Sequence, residues 1–152
     1  MIKVLFVCHG NICRSPMAEF LFKEYIEKKN KENLFHIESA ATSSEEIGNP
    51  VHYGTKKILT SLGIDCSKKR ARKIRYEDIK EYDFIIGMDQ YNISNLRRFF
   101  GTNEKIYSLL EFAGLNRDIS DPWYTGDFER TYADISLGLE SFYQYLVINH
   151  IV

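Results

Sequence analysis

The chain has 152 residues, a length typical of one domain, and we predict a single domain over residues 1–152. Hydrophobic residues make up 44% of it, enough for a core, and the formal net charge of −1 argues against a general attraction to nucleic acid or membranes. No apolar run approaches the roughly 20 residues of a transmembrane helix. Three cysteines do not form a secreted disulfide framework, so we expect a reducing, cytoplasmic setting.

The N-terminal stretch predicts a strand, a tight loop and a helix, in that order. The run from Met1 to Val7 ends in four apolar residues and indicates a buried strand. Ser15 and Pro16 are typical of an N-cap and a first helical residue, which predicts a helix from Pro16 to about Lys29. The loop between them would aim backbone N–H groups and the positive end of the helix dipole at one point. That geometry binds anions.

The rest of the chain continues the alternation of strands and helices. Further strands are predicted at 35–40, 83–88 and 105–109, and further helices from about 51 to 62, at 75–82, from 90 to about 100 and from roughly 127 to 149. Asp89 is a candidate N-cap for the helix that begins at residue 90. The long polar segment 111–126 is predicted to lack regular structure, which is often a functional feature. The alternation indicates an α/β fold: a four-stranded parallel sheet with helices on both faces. A phosphate-binding loop after strand 1 would lie where such sheets bind ligands.

Two side chains of this loop indicate phosphate chemistry. Cys8 lies at the mouth of the predicted cradle, where a thiolate is favoured over a thiol. Arg14 carries a planar fork of donors that holds two phosphate oxygens at once. A purely structural interpretation makes Cys8 a buried core residue, but it leaves the helix start unexplained. The predicted phosphate-binding residues are His9, Gly10, Asn11, Ile12, Cys13, Arg14 and Ser15.

The pattern Cys-x5-Arg-Ser, here Cys8 to Ser15, resembles the low molecular weight protein tyrosine phosphatases, or acid phosphatases. The similarity continues at 39–42, 47–50, 88–89 and 121–122 and covers nearly the whole chain. It implies hydrolysis of phosphotyrosine proteins and small aryl phosphates through a phosphocysteine intermediate, with Cys8 as the nucleophile. Arg14 and the loop N–H groups would neutralise the phosphoryl oxygens. No metal or cofactor is implied.

The resemblance implies that Asp121, in the pair Asp121-Pro122, is the general acid and base. Pro122 biases Asp121 toward an extended conformation. Taken alone, an Asp-Pro pair is a common turn starter, and Asp118 and Asp127 are nearby alternatives.

Three residues are predicted to wall the substrate site. Trp123 and Tyr124 follow Asp121 and would favour a long, flat phosphotyrosine over phosphoserine. Glu45 stands where the family often has an aromatic residue, and we hypothesise that it favours basic peptides.

Four further positions are predicted to support the chemistry. By resemblance, Asn11 holds a strained backbone and bonds to Ser39, and Ser15 donates a hydrogen bond toward the sulfur of Cys8. Asparagine tolerates the left-handed conformation that a tight cradle needs. Cys13 is close enough in sequence to form a reversible disulfide with Cys8, which would protect the nucleophile from over-oxidation.

Three other functions stay open. An arsenate reductase of the same fold needs further cysteines, and only Cys66 lies outside the loop. An inactive phosphate-binding or phosphotyrosine-binding module would not need Cys8, Arg14 and Asp121 together. Residues 68–75 contain six basic residues in eight, which indicates either a nucleic-acid patch or a solvated surface that adds positive potential near the anion site. The balanced total charge favours the solvated surface.

Overall fold

Four strands form one sheet in the computed structural model, which describes all 152 residues. They are β1 (Ile2–Cys8), β2 (Phe35–Ala41), β3 (Phe84–Gly87) and β4 (Ile106–Ser108). All three pairings are parallel, and the order is β2-β1-β3-β4. The chain moves to one side of β1 to form β2 and to the other side to form β3, so the carboxyl end of β1 is the switch point where such sheets bind ligands.

Helices cover both faces of the sheet, which confirms the predicted fold class. They are α1 (Arg14–Glu27), α2 (Tyr53–Ser61), α3 (Asp78–Glu81), α4 (Gln90–Phe100), α5 (Pro122–Thr125) and α6 (Phe128–Ile148), with 3₁₀ helices at Glu32–Leu34 and Leu109–Ala113. The helices α1, α2 and α6 pack together on one face, and α4 packs against β3 and β4 on the other. None of the helices combines the length and apolar character needed to cross a membrane.

The strand β1 is the rigid base of the candidate site because it is buried from both sides. Val4 and Phe6 point into the larger core, and Leu5 and Val7 point into the smaller one. This alternation follows from the two-residue period of a strand, and it explains why the run is apolar throughout. In the larger core, the ring of Phe22 from α1 lies 5.9 Å from the ring of Phe6. The two elements that flank the loop are therefore fixed against each other.

Two helix starts differ from the prediction. The predicted N-cap at Ser15 is wrong: α1 begins at Arg14, its N-cap is Cys13, and no side chain caps the first turn. The hydroxyl of Ser15 lies 3.0 Å from the sulfur of Cys8 instead. The second helix was predicted to begin at about residue 51 and begins at Tyr53, because His52 is its N-cap and accepts a hydrogen bond from the N–H of Gly54.

The prediction of an irregular segment over 111–126 is wrong in part. Its first residues belong to the 3₁₀ helix at Leu109–Ala113, which also ends the predicted fourth strand one residue early. Its last residues form α5, which begins at Pro122. Proline suits a first helical position because its fixed φ is already helical. The carboxylate of Asp121 caps this helix, so the short helix fixes the place of Asp121.

Candidate active site

The loop between β1 and α1 wraps around the sulfur of Cys8. The backbone N–H groups of Asn11 and Ser15 donate to this sulfur at 3.3 and 3.4 Å. The hydroxyl oxygen of Ser15 lies 3.0 Å from it. Cys8 is 3% exposed, and the N-terminus of α1 begins six residues later at Arg14. These donors and the helix dipole all stabilise negative charge on the sulfur.

Asn11 holds the loop in this conformation. Its φ of 60° is left-handed, a region that asparagine adopts more readily than most residues. Its side-chain Nδ2 donates to the hydroxyls of Ser15 and Ser39 at 2.7 and 2.9 Å. Its Oδ1 accepts from the N–H of Arg72 at 3.2 Å. The side chain is buried, and both its amide nitrogen and its amide oxygen form hydrogen bonds, so it connects the loop to β2 and to the segment after residue 70.

A buried carboxylate lies behind this network, and the sequence analysis missed it. Glu19 is 3% exposed, and its Oε1 accepts from the hydroxyl of Ser39 at 2.5 Å. Lys23 Nζ lies 2.6 Å from Oε2, and Lys69 Nζ lies 3.2 Å from Oε1. Lys69 also donates to the backbone oxygen of Ser39 at 2.8 Å. The sequence signal for Glu19 was its position on the apolar face of α1 together with Lys23 one turn later.

The guanidinium of Arg14 is held by the carboxylate of one residue and the backbone carbonyl of another. It is 2% exposed, and its Nη1 donates to Asp89 Oδ2 at 2.7 Å and to the backbone oxygen of Ile119 at 2.8 Å. Burial alone would lower the pKa of Arg14, but the negative charges of Cys8, Asp89 and Asp121 outweigh burial and raise the pKa above its ordinary value. The guanidinium therefore stays charged and keeps a fixed orientation.

Asp89 has two functions, of which sequence reasoning identified only one. Its Oδ1 accepts from the N–H of Asn92 at 2.7 Å and caps α4 in a capping box, as predicted. Its Oδ2 holds Arg14. No local pattern indicates the second contact, because the two residues are far apart in sequence.

Asp121 lines the cleft and contacts the guanidinium of Arg14. Its Oδ2 lies 3.4 Å from Arg14 Nη2, and its Oδ1 accepts from the N–H of Trp123 at 3.0 Å. The two alternative acids lie elsewhere: Asp118 accepts from the N–H of Gln90, and Asp127 caps α6 by accepting from the N–H of Arg130. Of the three acids, Asp121 alone lines the cleft.

The cleft above Cys8 has a volume of about 120 Å³. Among the predicted loop residues, Asn11 and Ser15 do not line it. Its lining consists of Cys8, His9, Gly10, Ile12, Cys13 and Arg14 from the loop, with Glu45, Glu46, Asp121, Trp123 and Tyr124. Trp123 and Tyr124 are 58% and 83% exposed, so their rings are open to solvent at the mouth. Glu45 Oε2 lies 2.8 Å from His9 Nε2 at the rim. The structure contains no group of three or more His, Cys, Asp or Glu side chains that could hold a metal ion.

The second cysteine of the loop has a different environment from the first. Cys13 is 4% exposed, and burial, followed by the charge of Cys8, raises its pKa to about 12. Cys13 is therefore a thiol at neutral pH. Cys66 is also buried, and it does not line the cleft.

Replacing Asn11 with alanine should destabilise the protein more than replacing Asn30 with alanine. Both asparagines have left-handed backbone, with φ of 60° and 57°, so both variants carry the same cost of about 1–2 kcal/mol for alanine there. Asn30 is exposed, whereas Asn11 is buried and its replacement removes three side-chain hydrogen bonds, two of them buried, which should add about 1–3 kcal/mol. Urea unfolding of the two variants measures the difference. Equal losses of unfolding free energy would contradict a supporting function for Asn11.

Comparison with known proteins places the chain in a family. A sequence profile described as low molecular weight phosphotyrosine protein phosphatase matches residues 3–150. The low molecular weight protein-tyrosine-phosphatase YfkJ of Bacillus subtilis is 42% identical over 144 residues, which are 92% of each chain. The low molecular weight protein-tyrosine-phosphatase PtpA of Staphylococcus aureus is 35% identical over 150 residues, covering 97% of this chain and 95% of that one.

Solved structures agree with the sequence comparison. The crystal structure of YfkJ matches with a TM-score of 0.93 at 40% identity, covering 98% of this chain and 96% of that chain. The crystal structure of SP-PTP, a low molecular weight protein tyrosine phosphatase from Streptococcus pyogenes, matches with a TM-score of 0.86 at 42% identity, covering 96% and 93%. The chain belongs to the low molecular weight phosphotyrosine protein phosphatase family. The predicted family and the prediction of a phosphatase enzyme are thereby confirmed.

Proposed function

We propose that the protein hydrolyses phosphotyrosine in proteins, and small aryl phosphates, through a phosphocysteine intermediate on Cys8. The observation that carries the proposal is the set of donors around one sulfur: two backbone N–H groups and the hydroxyl of Ser15, beside a buried Arg14. A sulfur in this setting is a strong nucleophile toward phosphorus. The family membership supports the same reaction class.

In the first step, the thiolate of Cys8 attacks phosphorus, the S–P bond forms and the bond from phosphorus to the ester oxygen breaks. Arg14 and the loop N–H groups neutralise charge on the three equatorial oxygens. Asp121 donates its proton to the leaving oxygen, so tyrosine departs as a neutral phenol. The contact of Asp121 with Arg14 at 3.4 Å supports this assignment, because it keeps the carboxyl at the mouth above the phosphate.

In the second step, Asp121 accepts a proton from water as that water attacks phosphorus. The S–P bond breaks, inorganic phosphate forms, and the electron pair returns to the sulfur of Cys8. The hydroxyl of Ser15 then stabilises the leaving thiolate by donating to it. No outside reductant or metal enters either step.

The test of this proposal is phosphate release in EDTA and a thiol reductant. We expect turnover of p-nitrophenyl phosphate and of a phosphotyrosine peptide, with a matched phosphoserine peptide hydrolysed more slowly, because Trp123 and Tyr124 would wall a long aromatic side chain. No turnover of either aryl phosphate would contradict the proposal and favour an inactive binding module. Consumption of thiol that depends on arsenate, with no phosphate release, would favour a reductase.

Glu45 is proposed to favour basic residues in the peptide on its side of the cleft. Its carboxylate is 69% exposed and is opposed by His9 alone at 2.8 Å, so a substrate lysine or arginine has access to it. The Glu45→Ala variant should lose the preference for basic over neutral phosphotyrosine peptides in kcat/KM. The effect should be about 2- to 5-fold, as for an exposed ion pair. If the ratio of kcat/KM for basic over neutral peptides is the same in the wild type and the variant, this function of Glu45 is refuted.

Mild peroxide is expected to link Cys8 to Cys13. Peroxide oxidises the Cys8 thiolate to a sulfenic acid, and attack by the Cys13 sulfur releases water and forms the disulfide. Activity should then return with a thiol reductant, as suits a protein of the reducing cytoplasm. Peptide mapping of the wild type and of Cys13→Ser distinguishes the outcomes, since the variant should instead accumulate Cys8 sulfinic acid and lose activity irreversibly. Sulfinic acid in the wild type, with no disulfide, would overturn the pairing.

A further inference from the structure

We infer that a basic groove beside the catalytic cleft binds an acidic side chain of the substrate polypeptide, next to the phosphotyrosine. This inference rests on the proposed function and adds a substrate class to it. The groove, which we call the Arg98 groove, has a volume of about 370 Å³. Its lining includes His9, Ser43, Tyr76, Asn95, Arg98 and Phe99.

The Arg98 groove is continuous with the catalytic cleft. His9 lines both, with the cleft on one side and the groove on the other. The hydroxyl of Ser43 donates to the backbone oxygen of His9 at 2.9 Å, so the wall between the two is a fixed part of the phosphate-binding loop. A peptide whose phosphotyrosine enters the cleft has to leave it over the rim, and one direction leads across His9 into the groove.

Two cations, Arg98 in the groove and Lys73 beside it, form no ion pair with a carboxylate. No carboxylate lines the groove. Arg98 is exposed, and its Nη1 donates to the neutral Oδ1 of Asn95 at 2.8 Å. Lys73 is exposed too, and its Nζ lies 5.8 Å from the centre of the Phe99 ring. Both cations therefore remain free to pair with an incoming carboxylate.

Lys73 belongs to the basic run 68–75, in which other charges are paired inside the protein. Within residues 68–75, Arg72 pairs with the buried Asp78 at 3.0 Å, and Lys69 pairs with Glu19 at 3.2 Å. These two charges are neutralised inside the protein. The run is thus partly structural, and Lys73, which pairs with no carboxylate, lies beside the groove at the Phe99 ring.

The Arg98 groove also offers an apolar surface for the peptide itself. The rings of Tyr76 and Phe99 are stacked at 4.3 Å between centroids with an interplanar angle of 5°. Tyr76 is 69% exposed, so this flat pair faces solvent. The aromatic pair can contact the aliphatic stem of a glutamate, and the free cations can pair with its carboxylate. The groove therefore suits a glutamate side chain better than a small hydrated anion, which has no apolar part.

Two carboxylates line the rim of the cleft: Glu45, which lies 2.8 Å from His9 at the boundary with the groove, and Glu46, which lines the cleft but not the groove. An acidic residue is therefore attracted inside the Arg98 groove and repelled at the part of the rim that Glu45 and Glu46 line. Substrate selection should depend on which side of the phosphotyrosine the acid occupies, and a general preference for acidic peptides is not expected.

The experiment compares three phosphotyrosine peptides that carry glutamates before the phosphotyrosine, glutamates after it, or neutral residues. At low salt, wild-type kcat/KM should favour one of the two acidic peptides by about 2- to 10-fold over the neutral one. High salt should remove the preference. Arg98→Glu and, separately, Lys73→Glu should abolish or reverse it. Lys31→Glu makes the same change of charge on an exposed lysine before the amino end of β2, whereas the groove lies past its carboxyl end, and should leave the preference intact.

Equal kcat/KM for the three peptides in a wild type that hydrolyses p-nitrophenyl phosphate would overturn the groove and leave the proposed function standing. Equal effects of Arg98→Glu and Lys31→Glu would overturn it as well. Inhibition of the wild type by a mixed oligonucleotide, lost in Arg98→Glu and accompanied by no peptide preference, would assign the groove to nucleic acid instead. A wild type without aryl phosphatase activity would be a failure of the proposed function itself.

Discussion

Replacing Cys8 with serine is expected to abolish phosphatase activity, lowering kcat for p-nitrophenyl phosphate by at least about 10⁴-fold, the scale seen when a nucleophile is removed. The loop donors that stabilise a thiolate cannot make a serine hydroxyl ionise near neutral pH, so the attacking group is lost. Steady-state kinetics on the purified variant measures the change.

Two controls separate loss of chemistry from loss of structure. The Cys8→Ser variant should still bind inorganic phosphate in calorimetry, because Arg14 and the loop N–H groups are unchanged. Cys66→Ser replaces another buried cysteine, which lies outside the cleft, and should keep wild-type kcat per folded molecule. Cys8→Ser activity within tenfold of the wild type would rule out Cys8 as the nucleophile.

Replacing Asp121 with asparagine should lower kcat for phenyl phosphate by about 10²- to 10⁴-fold, the usual contribution of a general acid. Asparagine retains an oxygen that can accept from the N–H of Trp123, so the start of α5 is preserved. Arg14 keeps its contacts with Asp89 and the backbone oxygen of Ile119. In kcat/KM, which reports only the first step, the loss should be large with phenyl phosphate and much smaller with dinitrophenyl phosphate, whose leaving group departs without a proton. The loss of kcat should persist with both, because Asp121 also activates water in the second step.

Matched variants of the other two acids test the assignment of Asp121. Asp118→Asn and Asp127→Asn remove the same charge from the same region, but their carboxylates cap backbone N–H groups outside the cleft. Both should retain kcat close to that of the wild type. A loss of kcat/KM for Asp121→Asn that is the same for good and poor leaving groups would show that the residue does not protonate the leaving oxygen.

The parts of the fold that could be predicted from sequence are those with a local signal. The apolar run of β1 is buried from both faces, and Asp89 begins α4 with a capping box. The spacing from Cys8 to Arg14 is local as well, so the loop could be recognised from its residues. Apolar residues recur at steps of three and four near the carboxyl end of the chain, and the helix predicted from them matches Phe128–Ile148 closely.

The parts that could not be predicted depend on contacts between distant segments. Arg14 is fixed by Asp89 and by the backbone of Ile119, which are 75 and 105 residues away. Glu19 is buried against Lys69, a pairing that no local pattern indicates. The start of α1 was misplaced for a related reason: Ser15 has the residue type of a cap, but its hydroxyl contacts the sulfur of Cys8. At this position the site overrides the local propensity.

The proposed reaction requires a phosphocysteine intermediate on Cys8, and this intermediate can be trapped. Wild-type protein is mixed with p-nitrophenyl phosphate, quenched in acid within a single turnover and digested, and the peptide that contains Cys8 is analysed by mass spectrometry. We expect this peptide to gain the mass of one phosphoryl group on the Cys8 sulfur, and no such gain in Cys8→Ser or in unreacted protein. Steady hydrolysis with no phosphorylated cysteine, or with the phosphoryl group on another residue, would contradict it.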